Sequence, residues 1–169
     1  PCPQSDTRPR VASPAVRFHT MTPMDDAVIT GLGIVSVGGL DVDSVWDHLA
    51  TGGRHGRGLI DGFDPTEVLP RRSARRLARF AQMAVAAADQ AVGQAGLADS
   101  GGDGAPVGLG PRAAVVLASV YGGMSAVEEA NVALAAEGPS AVSPLIPIIS
   151  AGSSGAAAVA AHLGASGPA

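Results

Sequence analysis

Ala113-Ala114-Val115-Val116-Leu117-Ala118-Ser119 is the stretch whose reading decides the fold. It carries no charge and shows none of the polar alternation of a strand with one wet face, while Val115 and Val116 favour extended backbone. It reads as a strand covered on both faces, as in an α/β sheet. A Gly/Asp/Pro-rich loop over residues 101–110 precedes it and Gly122-Gly123 ends it. Outward from this strand, both neighbours have a helical period. Residues 124–136 predict a helix with Val127, Leu134 and the adjacent alanines inward and Glu128 and Glu129 outward. On the other side no Pro or Gly occurs from Ser73 until Gly93, and Leu77, Phe80, Ala81, Ala84, Ala88 and Val92 fall at helical spacing. That spacing predicts one long amphipathic helix capped by Ser73.

A second strand is expected earlier. Ala27-Val28-Ile29-Thr30 runs into Gly31-Leu32-Gly33-Ile34-Val35-Ser36, a buried strand followed by a glycine-rich turn. The turn is not a nucleotide loop, because a dinucleotide fingerprint needs glycine where Ser36 stands and a phosphate loop needs Gly-Lys-Ser or Gly-Lys-Thr. A short helix follows over residues 42–49, capped by Asp41 or Asp43, with Val45, Trp46 and Leu49 on one face and Trp46 as a core anchor. Gly52, Gly53, Gly56 and Gly58 mark a loop in which His55 reads as a solvated side chain. Residues 1–24 are rich in Pro and Arg with no apolar run, and read as a disordered leader or upstream extension rather than a secretory signal. Organisation begins near residue 25 and extends to 169.

Charge concentrates in one place. Arg71, Arg72, Arg75, Arg76 and Arg79 crowd the start of the long helix, where the helix dipole disfavours cations. The residues alone fit either a docking surface for an acidic partner or a solvated basic face. By contrast, residues 138–169 contain no Asp, Glu, Lys or Arg. Pro144, Pro147, Gly152, Ser153, Ser154 and Gly155 interrupt that stretch, so it does not read as a membrane span. Ser153 or Ser154 instead caps a helix to Leu163 that is so rich in Ala and Gly that it is expected to be buried on most sides, with His162 structural.

Composition bounds the function. Of the 169 residues 46% are apolar but only 3% aromatic, so the core uses small and branched side chains; the 23 glycines fit close approach of elements. A net charge of −4 with the basic residues in clusters argues against a nucleic-acid surface. The single cysteine, Cys2, builds neither a disulfide nor a metal site, which favours a reducing, cytoplasmic setting.

The segments 27–36, the helix with Trp46, Phe63-Asp64-Pro65, 74–82, Tyr121-Gly122-Gly123, Val142-Ser143-Pro144 and Leu163-Gly164-Ala165-Ser166-Gly167-Pro168 occur in an order that resembles the N-terminal part of the β-ketoacyl-(acyl carrier protein) synthases. The resemblance implies a thiolase-like layered α/β fold, of which this would be an incomplete N-terminal half. It also implies an acyltransferase that condenses an acyl thioester with malonyl-carrier protein in fatty acid or polyketide biosynthesis, with no cofactor. In that family a Cys at a helix start is acylated and two His assist. The Cys follows the position of Gly167-Pro168 by several residues, so no catalytic residue is expected within 1–169 and the chain alone is expected to be inactive.

By position, the resemblance implies that Arg72, Arg75 and Arg76 dock the acidic acyl carrier protein. It places Tyr121 beside the acyl pocket, and Leu145 and Ile146 at the reach across a homodimer or heterodimer. Two departures stand out: the stretch between the helix of Trp46 and Phe63 is short, and Gly152-Ser153 and Ala156-Ala157 replace the usual Pro-Asn and Ala-Gly. They favour a divergent member. The alternative is a chain-length-factor-like subunit, which shares the fold, lacks the Cys and shapes the product cavity of a heterodimer.

Overall fold

A computed structural model describes residues 27–54, 58–97 and 108–168. Cys2, His55, the leader and most of the loop over 101–110 lie outside them. Six helices are seen: α1 Val42–Ala50, α2 Arg71–Ala74, α3 Arg79–Gln94, α4 Met124–Glu137, α5 Ile146–Ile149 and α6 Ser153–Leu163, with 3-10 turns at Pro65–Glu67 and Pro139–Ala141.

The centre is the pair α3 and α6. Ala81 and Val85 of α3 and Val159 and Leu163 of α6 are buried, with Leu69 and Ala74 packed in. Each fully buried Val or Leu removes apolar area worth roughly 1.5–3 kcal/mol. His162 Nε2 lies 2.9 Å from Asp89 Oδ1, tying α6 to α3 and confirming a structural place for that histidine.

Against this pair lie two extended segments. Residues 109–115 run parallel to 163–168, joined by Leu109 N–H to the Leu163 carbonyl (3.0 Å), Gly167 N–H to that of Ala113 (3.1 Å) and Val115 N–H to that of Pro168 (3.0 Å). The other, residues 27–35, crosses α3. Gly31 and Gly33 sit so close to the carbonyl oxygens of Ala91 and Ala87 that a Cβ at either position would overlap them. Only glycine allows that approach. Side chains of α3 bond two of its backbone groups, Leu32 N–H donating to Gln94 Oε1 (2.6 Å) and Ile34 N–H to Gln90 Oε1 (3.0 Å), and Gln90 Nε2 donates to the carbonyl of Leu40 just beyond it (2.7 Å).

Several expectations need correction. Among the described residues neither extended segment forms a regular strand, and the only bridges are Ser36 with Gly39 and Gly110 with Ala165. Residues 113–118 alternate: Ala113, Val115 and Leu117 are half-buried, while Val116 is 95% exposed. One face is covered, not two. Trp46 is 69% exposed and Val45 is the buried residue of α1; Trp46 and Leu49 border an open concavity with Leu32, Gly33 and Ile34 rather than a packed core. Leu134 of α4 is likewise exposed and α4 buries nothing. α6 is buried along Gly155, Val159 and Leu163 only, with Ala157 and Ala161 exposed, and neither Ser153 nor Ser154 caps it.

The long helix over residues 73–93 is in fact broken. α2 ends at Ala74, Ala78 is extended at ψ 155°, and α3 starts at Arg79. Gln82 explains why a break is stable without Pro or Gly: its Nε2 donates to the carbonyls of Ala74 (2.8 Å) and Leu77 (3.1 Å), two groups at the joint. Burial of Ala74 and Ala78 completes it.

Candidate functional site

The break places the arginines. Arg72, Arg75 and Arg76 are exposed, and with Arg71 they line a concavity of about 320 Å3. The dipole conflict expected from one long helix is reduced, since Arg75 is the C-cap of α2, the end that favours cations. Arg79 is engaged elsewhere: its guanidinium donates to the carbonyls of Phe63 (3.2 Å) and Ile60 (3.3 Å) and stacks 4.7 Å over the Phe63 ring. It anchors the loop before Asp64.

Compensation by acids is slight. The Asp64 carboxyl is held below its ordinary range chiefly by the Thr66 backbone N–H, then by the Thr66 hydroxyl, with a smaller contribution from Arg71. Among the described residues no carboxylate lies within ion-pair distance of Arg72, Arg75 or Arg76. Unpaired like charges held together repel one another, and an anionic partner relieves the repulsion.

Arg76 also opens onto an apolar groove of about 590 Å3 between α5 and α6, walled by Leu77, Ile148, Ile149 and Ala157. Cationic joint and groove are therefore continuous. Tyr121, 75% exposed, stands on the turn before α4. Gly122 makes that turn at φ +53°, and Gly123 N–H donates to the Ser150 carbonyl (3.1 Å), which seats the turn on the far end of α5. Leu145, exposed, and Ile146, half-buried, are at the start of α5. The groove uses Ile148 and Ile149 rather than those two.

Sequence reasoning passed over Ile148, Ile149 and the Asp89–His162 pair. A sign of the pair was present, since a histidine on an Ala-rich helix expected to be buried implies a polar partner, and Asp89, 41% exposed, supplies it. Among the described residues no group of three or more His, Cys, Asp or Glu is arranged to hold a metal, and no helix is long and apolar enough to cross a membrane.

Residues 58–169 match the family described as Beta-ketoacyl synthase, N-terminal domain. The 3-oxoacyl-[acyl-carrier-protein] synthase 2 of Vibrio harveyi is 32% identical over 132 residues, covering 69% of this chain and 30% of that protein. That of Synechocystis sp. is 32% identical over 159 residues, covering 83% and 36%. The chain thus spans about a third of the length of these relatives. Among solved structures, the ishigamide ketosynthase/chain length factor superposes with a TM-score of 0.70 at 24% identity, covering 83% of this chain and 38% of its own. A β-ketoacyl synthase from Burkholderia phymatum gives 0.60 at 22%, covering 83% and 37%. A type II PKS ketosynthase in complex with its acyl-carrier protein gives 0.61 at 19%, covering 82% and 40%. These likenesses show a shared ketosynthase fold, and the α/β class fits the helices packed on extended segments. With its N-terminal domain matched over most of the described residues, the chain belongs to the β-ketoacyl synthase family.

Proposed function

We propose that these residues form the N-terminal part of a ketosynthase subunit that condenses an acyl thioester with malonyl-carrier protein in the cytoplasm. In the full layered, thiolase-like dimer they contribute carrier docking and part of the acyl channel. The observation that carries the reading is the unpaired cationic joint of Arg72, Arg75 and Arg76 running into an apolar groove. An acidic carrier that delivers a hydrocarbon chain needs both surfaces side by side. Tyr121 narrows the channel and Leu145 and Ile146 meet the second subunit.

Condensation needs a thiolate nucleophile, donors for the thioester oxyanion and imidazoles for the enolate. Within the 169 residues the one thiol is Cys2, which lies far in sequence from the joint. The 169 residues by themselves are therefore expected to take up no acyl label from acyl carrier protein. The alternative is a chain-length-factor-like partner subunit, and the likeness to the ishigamide ketosynthase/chain length factor supports keeping it. Coding sequence after Ala169 decides between them: Thr-Ala-Cys there means synthase, and Gln at the Cys position means partner.

Docking is tested in a chimera in which the C-terminal part of an active relative follows residue 168. Reversing Arg72, Arg75 and Arg76 to Glu removes charge-assisted contacts worth about 1.5–3 kcal/mol each in good geometry, so carrier-protein KM should rise at least about tenfold. The effect should shrink at high salt, because at about 0.15 M the screening length is about 8 Å and these side chains are exposed. Turnover on a small free thioester should not change. An unaltered carrier KM would reduce the cluster to a solvated helix face.

A further inference from the structure

α6, α2 and the turn between α2 and α3 border a second concavity of about 300 Å3, which shares Arg76, Leu77 and Ala158 with the groove between α5 and α6 and extends from it toward Ala161 and His162. Leu69, Leu77 and Ala161 give it an apolar floor, and three polar side chains border it: Ser73, Arg76 and His162. No carboxylate lines it. His162 is fixed from behind, its Nε2 at 2.9 Å from Asp89 Oδ1 and its side chain only 10% exposed. Its other ring nitrogen has no protein partner among the described residues. An arginine, a serine and an imidazole held by Asp89 therefore border one apolar concavity.

We propose that this concavity binds a short amphipathic carboxylate. The two carboxylate oxygens engage the Arg76 fork and the Ser73 hydroxyl, the imidazole edge of His162 walls the head group, and the hydrocarbon tail covers Leu69, Leu77 and Ala161. One guanidinium matches one carboxylate bidentately, whereas a doubly charged phosphate would leave charge uncompensated over an apolar floor. Because Arg76 borders this concavity and the cationic joint alike, occupancy withdraws a docking cation. The ligand acts as a competitor of the carrier protein, a consequence that rests on the docking reading; binding itself does not.

The test uses hexanoate as the probe, titrated into the chimera by calorimetry and by ligand-observed NMR. A ligand of this size is expected to bind in the millimolar range. Arg76→Gln and Ala161→Phe should each weaken it about tenfold or more, the first by removing the fork and the second by filling the floor from an exposed position. Arg72→Gln, which lines only the cationic joint, should leave hexanoate binding intact while raising carrier KM. Ala161→Phe should do the reverse. Equal binding to wild type and Ala161→Phe, an equal loss in Arg72→Gln and Arg76→Gln, or no binding to the active wild-type chimera would each overturn the site. Failure of Arg72→Gln to raise carrier KM, with hexanoate binding as expected, would count against docking alone.

Discussion

α3 and α4 are helices of similar length and similar apolar content with opposite fates. α3, 16 residues long, buries Ala81, Val85 and Ala86 and packs chiefly on α6; α4, 14 residues long, buries nothing among the described residues and packs chiefly on α5 and the 3-10 turn after it. The sequences explain the contrast. In α3 the apolar residues gather on one face with Gln82, Gln90 and Gln94 placed to bond neighbouring backbone. In α4 Val127, Val132 and Leu134 are spread around the axis, which suits a helix covered from more than one side. One helix makes its core with residues of this chain, and the other finds no covering surface among the described residues.

The largest expected effect follows directly. Among the described residues Val116, Val120, Val28 and Ile29 are exposed, as are Val132 and Leu134 of α4, and large exposed apolar side chains of this kind favour self-association. The 169 residues by themselves should therefore self-associate or stay molten. Light scattering and near-ultraviolet circular dichroism would show it; a monodisperse monomer with a cooperative melt would mean that α4 is covered after all.

The next effect sharpens the comparison within one molecule. In the chimera, Leu163→Ala empties a buried position between α6 and α3 and should cost about 2–5 kcal/mol in urea unfolding. Val132→Ala on α4, where the side chain is 70% exposed, should stay within about 0.5 kcal/mol if nothing covers it. Should a partner subunit or the C-terminal part cover α4, Val132→Ala will approach the buried cost. The gap between the two substitutions thus measures how much of α4 is covered.

The same contrast marks how far the sequence could be read. The ends of the helices were legible: α1, α4 and α6 start and stop within a residue or so of their expected ends, because helical periodicity and its interruption by Gly and Pro are local. Burial was legible only where the partner is also here. The apolar run 113–119 implied cover on both faces, and Trp46 a core position, since hydrophobicity records what a residue meets in the assembled protein; the described residues supply one side of that environment. The break at residues 75–78 was illegible for a different reason. It depends on Gln82 reaching back to the carbonyls of Ala74 and Leu77, a tertiary contact that carries no Pro or Gly signal. The basic joint was visible as composition, while its continuity with the groove over Ile148 and Ile149 needed the fold.

The smallest expected effect isolates a helix held neither by a packed face nor by a partner. α1 buries only Val45, yet it alone of the longer helices starts with a side-chain cap: Ser44 N–H donates to Asp41 Oδ1 (2.8 Å), and Asp41 N–H reaches back to the Ser44 hydroxyl (3.4 Å). α3, α4 and α6 begin without one. The bond from the Ser44 backbone N–H, and then the one from its hydroxyl, hold the Asp41 carboxyl below its ordinary value of 3.8. A folded-state pKa below the unfolded value means that the carboxylate's contribution is present above 3.8 and is lost as pH falls through the lower, folded value. Asp41→Ala in the chimera should therefore lower Tm slightly at neutral pH, with loss of α1 helicity first. The gap to wild type should narrow only as pH falls through the lower, folded value, where the native carboxyl takes up its proton and loses the charge that strengthens the bonds from Ser44. If the gap does not narrow as the Asp41 carboxyl is titrated in the folded protein, the charge of Asp41 does not hold α1, and the helix depends on Val45 packing as α3 depends on Val85.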